Sequence, residues 1–234
     1  MSTAGGGVNI VKDGLVLYLD AANPNSYISG STTWYDLSIS GNIGTLSSGI
    51  TYNYSNGGSL NFNGINDLVR INRNLDISTE FTIEYVILIR QLPATQTEYF
   101  CNFFNGAGYQ INGIYGVFGV DSSNRNYFVL CNLNASGISA IVNINDHVIN
   151  TIYYVSVTYQ NRTLKGYVNG VLRGTTNLTF DPLNNTSGIT TLGAAPTNSL
   201  FSPINMYSFK YYNRALSLSE VLQNYNAAKS RFGL

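Results

Sequence analysis

The stretch YVNGVLRG, residues 167–174, constrains the fold more than any other. Asn169-Gly170 between two apolar runs specifies a two-residue turn with positive φ at both central positions, and so a β-hairpin. The same texture extends along the chain. Short runs of β-branched and aromatic residues recur between Gly, Asn and Ser punctuation: LVLYLD (15–20), SLNFNG (59–64), DLVRIN (67–72), FTIEYVILIR (81–90), YGVFGV (115–120), NYFVLCNL (126–133), ISAIVNI (138–144), TIYYVSVTY (151–159), LKGYVNG (164–170), VLRGT (171–175), ITTLG (189–193) and INMYSFKYY (204–212). Tyr153, Val155, Val157 and Tyr159 form the apolar phase of what reads as a half-buried strand. A dozen short antiparallel strands with turn chemistry between them predict an all-β sandwich, jelly roll or barrel. No composition break divides residues 14–228, so a single domain over 14–234 is expected. Residues 1–13, with GGG at 5–7, read as a flexible N-terminal arm.

One segment breaks the β pattern. Ser217 and Glu220 are spaced as a capping box, and Leu216 with Val221 as a hydrophobic staple. Leu218, Val221, Leu222 and Tyr225 then fall on one helical face, with Lys229 and Arg231 near the negative end. A short amphipathic helix is expected to dock that stripe on a sheet.

Charge narrows the function. Twelve basic residues balance twelve acidic ones, and charged residues are 10% of the chain, with 31 Asn, 23 Gly and 18 Tyr. A neutral chain lacks the basic footprint of a nucleic-acid binder and the cationic face of a membrane-surface protein. The apolar run YVILI (85–89) is too short to span a bilayer, and the N-terminus lacks a basic segment followed by a long apolar run, so neither membrane insertion nor export is expected. Six Asn-x-Ser/Thr sequons (Asn53, Asn134, Asn161, Asn177, Asn184 and Asn185) are read as products of composition. With no export signal, Cys101 and Cys131 are read as reduced, buried thiols, with a disulfide between them as the alternative.

Several motifs resemble one family in order. YNRALSLSEV (212–221) is similar to the Y-N-R-A-L-S-x-x-E-[IV] ending of laminin-G-like, concanavalin A-like jelly-roll domains. GLVLYLDAANPNSY resembles their opening strand, TWYDLSISGNIGTL their W-x-D-x-S-G-N-G-N-x-G-x-L loop, and GGSLNFNGINDLVRI their S-L-x-F-D-G-x-N-D-Y-[IV] strands. FTIEYVILIR and YYVSVTYQNRTLKGYVNGVL are similar to later sheet strands, so the resemblance runs from about Gly14 to Tyr225. It implies an antiparallel two-sheet jelly-roll sandwich with one short C-terminal α-helix. The chain departs from the family at Ile39-Ser40-Gly41-Asn42, at Asn63 in place of Asp, and at Ser202-Pro203 in place of a glycine. Some relatives bind calcium near these loops, and here Asp36 and Asp67 are the carboxylates available to it. Calcium takes six to eight oxygens; the local alternative is that Asp36 caps its own turn and Asp67 fixes the hairpin beside Asn66.

No catalytic residue is expected. Glycosidases on this fold carry clustered carboxylates such as E-x-D-x-x-E, since hydrolysis needs an acid and a base or nucleophile at close range. That cluster is absent, Glu80 and Glu84 stand four apart, and the only histidine, His147, lies in the turn-like NDHV. The sequence therefore offers neither a zinc site nor a Ser-His-Asp arrangement.

Binding is the expectation that remains. Sugar sites on such sandwiches use aromatic platforms ringed by amides and hydroxyls. Trp34, Tyr35, Tyr99, Tyr109 and Tyr115 are the candidate ligand-binding aromatics, each also a candidate for the core. LDAANPNSYISGSTTWYDLS and NYNAAKSRFGL are similar to segments of tailed-phage virion proteins, where the domain occurs in capsid decorations and tail fibres. That resemblance implies a surface-exposed virion component, made in the host cytoplasm, with other virion proteins and host-surface glycans as partners. A homo-oligomer is compatible with the near-zero net charge. A free bacterial surface or secreted lectin is the alternative.

Overall fold

The computed structural model describes residues 9–73, 75–76, 80–92, 99–108, 111–119, 126–132, 138–144, 148–177, 189–195 and 198–234. The chain opens with β1 (Leu15–Asp20), β2 (Thr33–Tyr35), β3 (Ile43–Leu46) and β4 (Thr51–Asn53). Then follow β5 (Ser59–Asn61), β6 (Val69–Ile71), β7 (Phe81–Ile89), β8 (Tyr99–Gly108), β9 (Ile111–Gly119), β10 (Asn126–Asn132) and β11 (Ile138–Ile144). The last strands are β12 (Ile152–Gln160), β13 (Thr163–Val168), β14 (Val171–Asn177), β15 (Ile189–Leu192) and β16 (Ile204–Tyr212), ahead of helix α1 (Leu218–Phe232).

These strands form two eight-stranded antiparallel sheets. Sheet A runs β14-β13-β12-β7-β16-β5-β4, with β1 also paired to β16. Sheet B runs β11-β10-β9-β8-β15-β6-β3-β2. With α1 at the C-terminus, this is the jelly-roll sandwich the motifs implied. The hairpin at Asn169-Gly170 also forms as expected, with φ of 51° and 76° at the two central residues.

The main core lies between the sheets. Trp34, Leu46, Val69, Ile71 and Leu192 of sheet B meet Leu60, Phe81, Ile83, Tyr85, Ile87, Val155, Tyr159 and Phe209 of sheet A. At about 1.5–3 kcal/mol per fully buried large side chain, this layer is the principal stabilising element.

The central strands of sheet A are buried on their other side as well, which corrects the reading of β12 as half-buried. Every residue from Ile152 to Tyr159 is buried. Helix α1 covers the outer face, where Phe232, Tyr225 and Ala228 pack on Val86, Ile152, Tyr154 and Tyr207. The capping box forms as the spacing predicted, and Leu216 and Val221 are both buried. The stripe is rotated from the expected one, however. Val221, Asn224 and Phe232 are the buried positions, while Leu218 is 53% exposed and Leu222 36%.

The N-terminal boundary also needs correction. Val11 is buried beside Tyr212, Leu216 and Val221. Its amide donates to Asn224 Oδ1 at 2.7 Å and its carbonyl accepts from the Tyr212 hydroxyl at 3.1 Å. Residues 9–13 are therefore part of the packed fold rather than of a flexible arm. In sheet B, Cys101 is registered with Val117 of β9 and Cys131 with Gly113 on the opposite edge of the same strand. Two strand spacings of about 4.8 Å and a four-residue offset of about 3.3 Å per residue separate their Cα atoms by about 16 Å. A disulfide needs less than about 7 Å, so this register excludes one between them.

Candidate functional site

Alternation along β2, β3 and β6 decides what sheet B shows to solvent. Trp34, Gly44, Val69 and Ile71 point into the core, so Thr33, Tyr35, Thr45 and Arg70 point outward. Thr33, Thr45 and Arg70 are direct cross-strand partners in one row, and Tyr35 stands opposite Ile43 two positions along. Tyr35 is 50% exposed.

Three connections wall a shallow pocket of about 400 Å³ beside that row. Leu46, Leu68 and Phe201 supply its apolar side, and Thr45, Ser47, Asn66, Arg70 and Asn198 its polar side. The Arg70 guanidinium donates to Asn198 Oδ1 at 2.8 Å. Asn198 and Leu200 both have φ of 54°. For leucine that conformation costs about 1–2 kcal/mol, and backbone hydrogen bonds hold it in place. Ala195 N donates to Ser199 O at 2.9 Å, Asn198 N to Ala195 O at 3.1 Å and Ser202 N to Gly193 O at 2.8 Å. Strain of this kind persists where surrounding structure fixes it and is concentrated at binding sites.

Asp67 stands behind this pocket, 1% exposed. It accepts from Asn63 N at 2.8 Å and Ser47 Oγ at 3.3 Å, while Ser47 Oγ accepts from Leu68 N at 3.0 Å. Asn63, where the family has Asp, caps its own turn by accepting from Ile65 N and Asn66 N. Asp36 is more fully engaged. It accepts from Tyr18 N, Ser38 N, Ser38 Oγ, Asn42 N and Asn42 Nδ2, at 2.7–3.1 Å. The atoms converging on both carboxylates are hydrogen-bond donors, which suits turn fixation; a calcium shell is made of oxygen acceptors. Among the described residues no three of His, Cys, Asp and Glu come together.

The loop that Asp36 orders, with Ile10, residues 12–16 and Tyr18, lines a second cleft of about 870 Å³. Ile39 at the tip of that loop is fully exposed.

Of the predicted aromatics, Tyr35 alone is on the described surface. Trp34 is 0% exposed and belongs to the core cluster, so it cannot serve as a platform. A single-residue shift in strand phase separates the two neighbours. Tyr99 lies in β8, and Tyr115 in β9 on the register row of Arg70, reached through Thr191 and Phe104. Their side chains, like Tyr109 and His147, fall outside the described residues.

Glu84, set aside above as half of a carboxylate pair with Glu80, has a structural place instead. It is fully buried under α1 and accepts from Tyr154 Oη at 2.8 Å, Ser156 Oγ at 3.0 Å and Asn224 Nδ2 at 2.8 Å, with Lys210 Nζ at 3.6 Å. Burial and the Glu84 charge push the Tyr154 hydroxyl well above the usual tyrosine range, so it stays a donor. A carboxylate inside a strand as apolar as FTIEYVILIR was the available signal.

The chain belongs to the laminin G-like branch of the concanavalin A-like lectin/glucanase superfamily, whose family profile matches residues 62–222. No curated protein matches it in sequence. Among solved structures it is similar to the receptor-binding domain of botulinum neurotoxin type G (TM-score 0.66, 15% identity, covering 91% of this chain and 51% of that one). The binding domain of Paraclostridial Mosquitocidal Protein 1 gives 0.68 and 20%, over 92% and 52%. The ligand-binding domain of botulinum neurotoxin serotype D, solved with N-acetylneuraminic acid, gives 0.68 and 13%, over 92% and 51%. This chain thus spans about half the length of these structures, and the likeness is one of fold.

Proposed function

We propose that this chain is a non-enzymatic glycan-recognising module on the exterior of a tailed-phage particle, as a capsid decoration or a tail-fibre adhesin subunit. The observation that carries the binding part is the outward face of β2, β3 and β6. It sets an exposed Tyr35 on the same face as a pocket lined by amides, hydroxyls and one guanidinium. Such a mixture of apolar surface and a few placed polar groups suits a hydroxylated ligand with apolar ring faces. The carboxylates described support a non-catalytic role. Asp36 and Asp67 are tied to their own turns, and Glu84 is sealed from solvent. General acid–base work needs a carboxyl that reaches substrate. The fold shared with toxin receptor-binding domains, one of them bound to a sialic acid, favours the same reading.

The virion setting rests on the resemblance of residues 19–38 and 224–234 to phage virion proteins. Mass spectrometry of purified particles tests it: a stoichiometric copy number against the major capsid protein is expected. Absence from particles would overturn the setting and leave the free bacterial lectin, a reading that the toxin-domain likeness also favours.

A further inference from the structure

We infer that the pocket beside Arg70 recognises the carboxylate of an acidic sugar. The inference rests on the glycan-binding reading above and specifies its ligand. Three other basic groups meet carboxylates: Lys210 meets Glu84, Arg214 meets Asp13 and Glu220, and Arg231 meets Asp20, while Arg90, away from this pocket, donates to the Phe62 carbonyl. Arg70 is held by a neutral amide, Asn198 Oδ1, and among the described residues no carboxylate lies within ion-pair distance of it. Asp67, the nearest acid in sequence, is buried and bonded to Asn63 and Ser47, and its charge acts on Arg90. Among the described residues the pocket therefore presents one positive charge without a carboxylate partner, orientated by a strained turn and backed by Leu68 and Phe201. One Arg70 nitrogen is fixed by Asn198 and, among the described residues, the others have no carboxylate partner; a guanidinium so placed matches a planar carboxylate in bidentate fashion. Asn66 and Thr45 add neutral groups for adjacent hydroxyls. A single cation suits a monoanion, whereas a phosphate monoester calls for more positive charge.

Titration calorimetry with 3′-sialyllactose, its carboxyl methyl ester, lactose, tetragalacturonate and a 3′-sulfated lactose tests this. Sialyllactose or the galacturonate is expected to bind at least tenfold tighter than the ester and lactose, and the two acids separate a sialic from a uronic ligand. Arg70→Gln should weaken the acid about ten- to hundredfold, to the level of the ester, while Arg70→Lys retains part of the preference. The ester comparison leaves the protein untouched, so it stands even where a variant folds poorly. Equal binding of acid, ester and lactose overturns the carboxylate assignment and leaves glycan binding intact. Preference for the sulfated sugar alone overturns it as well, and no binding by any probe overturns both readings.

Discussion

The side-chain amide of Asn224, in the C-terminal helix, donates to the carboxylate of Glu84 on β7 at 2.8 Å, across 140 residues of chain. Asn224 also donates to the Tyr212 hydroxyl at 3.0 Å and accepts from the Val11 amide. One helix residue thus joins the central strand of sheet A, the strand next to it and the N-terminal segment. Lys210 completes the network, 3.2 Å from Tyr154 Oη and facing the rings of Tyr18 and Tyr154.

Breaking one side of this network leaves a buried charge without its partner. Glu84→Ala is expected to cost about 3–5 kcal/mol in urea unfolding. The Glu84→Met/Lys210→Met pair should cost at least 1 kcal/mol less than the sum of its single changes, because the two are directly coupled. Strict additivity would show that the pair is not the organising contact.

Removing residues 1–12 takes away Val11 and strands the Asn224 acceptor beneath the helix. A loss of about 2 kcal/mol is expected, a fall in Tm of roughly 4–8 °C for a chain of this size. An unchanged Tm would return these residues to the status of a dispensable arm.

At Gly193, φ is 80° and an added Cβ would sit 2.3 Å from Phe62 Cδ1, in the core. Gly193→Ala combines a left-handed backbone with overpacking and is expected to destabilise by about 2–4 kcal/mol. Gly30→Ala shares the positive φ, 88°, but meets open space. It should cost no more than about 1–2 kcal/mol, and equal effects would refute the packing argument.

Glu220 carries the acid sensitivity of the helix start. Its carboxylate takes two hydrogen bonds from Arg214, at 2.6 and 3.0 Å, and one from Ser217 N at 2.8 Å. The Arg214 contact is the main cause of a pKa lowered from 4.5 to about 2. A carboxyl with a depressed folded-state pKa stabilises fully above its unfolded value and loses that contribution as pH falls through the folded one. Stability should therefore decline between pH 4.5 and about 2 by an amount of order 1 kcal/mol from this site, given its partial exposure. Glu220→Gln should flatten that part of the pH profile, and an unaltered slope would assign the decline elsewhere.

Local signals carried the fold. β1, β11 and β16 fall on the runs LVLYLD, ISAIVNI and INMYSFKYY, and the NG turn and capping box form where their spacing places them. β2 and β3 lie within TWYDLSISGNIGTL, read as a loop, and β4 on no identified run, since these three- and four-residue strands hold their place by pairing rather than by propensity. The rotated helix face has a tertiary cause: Asn224 turns inward because Glu84 lies beneath it, which pattern reading of α1 alone cannot register. The site divides in the same way. Tyr35 was legible as an aromatic near a loop, and the V-R-I alternation of β6 points Arg70 outward. The pocket itself depends on Asn198, 128 residues further along.

The central claim is that the face of β2, β3 and β6 binds glycan. A glycan array probed with the purified chain and with the double variant Tyr35→Ala/Thr45→Trp, which removes the platform and fills the pocket, tests it most directly. The account predicts a defined set of glycans bound by the native chain and lost, by at least tenfold, in a variant with an unchanged melting profile. No glycan bound by the native chain, or the same glycans bound by the variant, would contradict it.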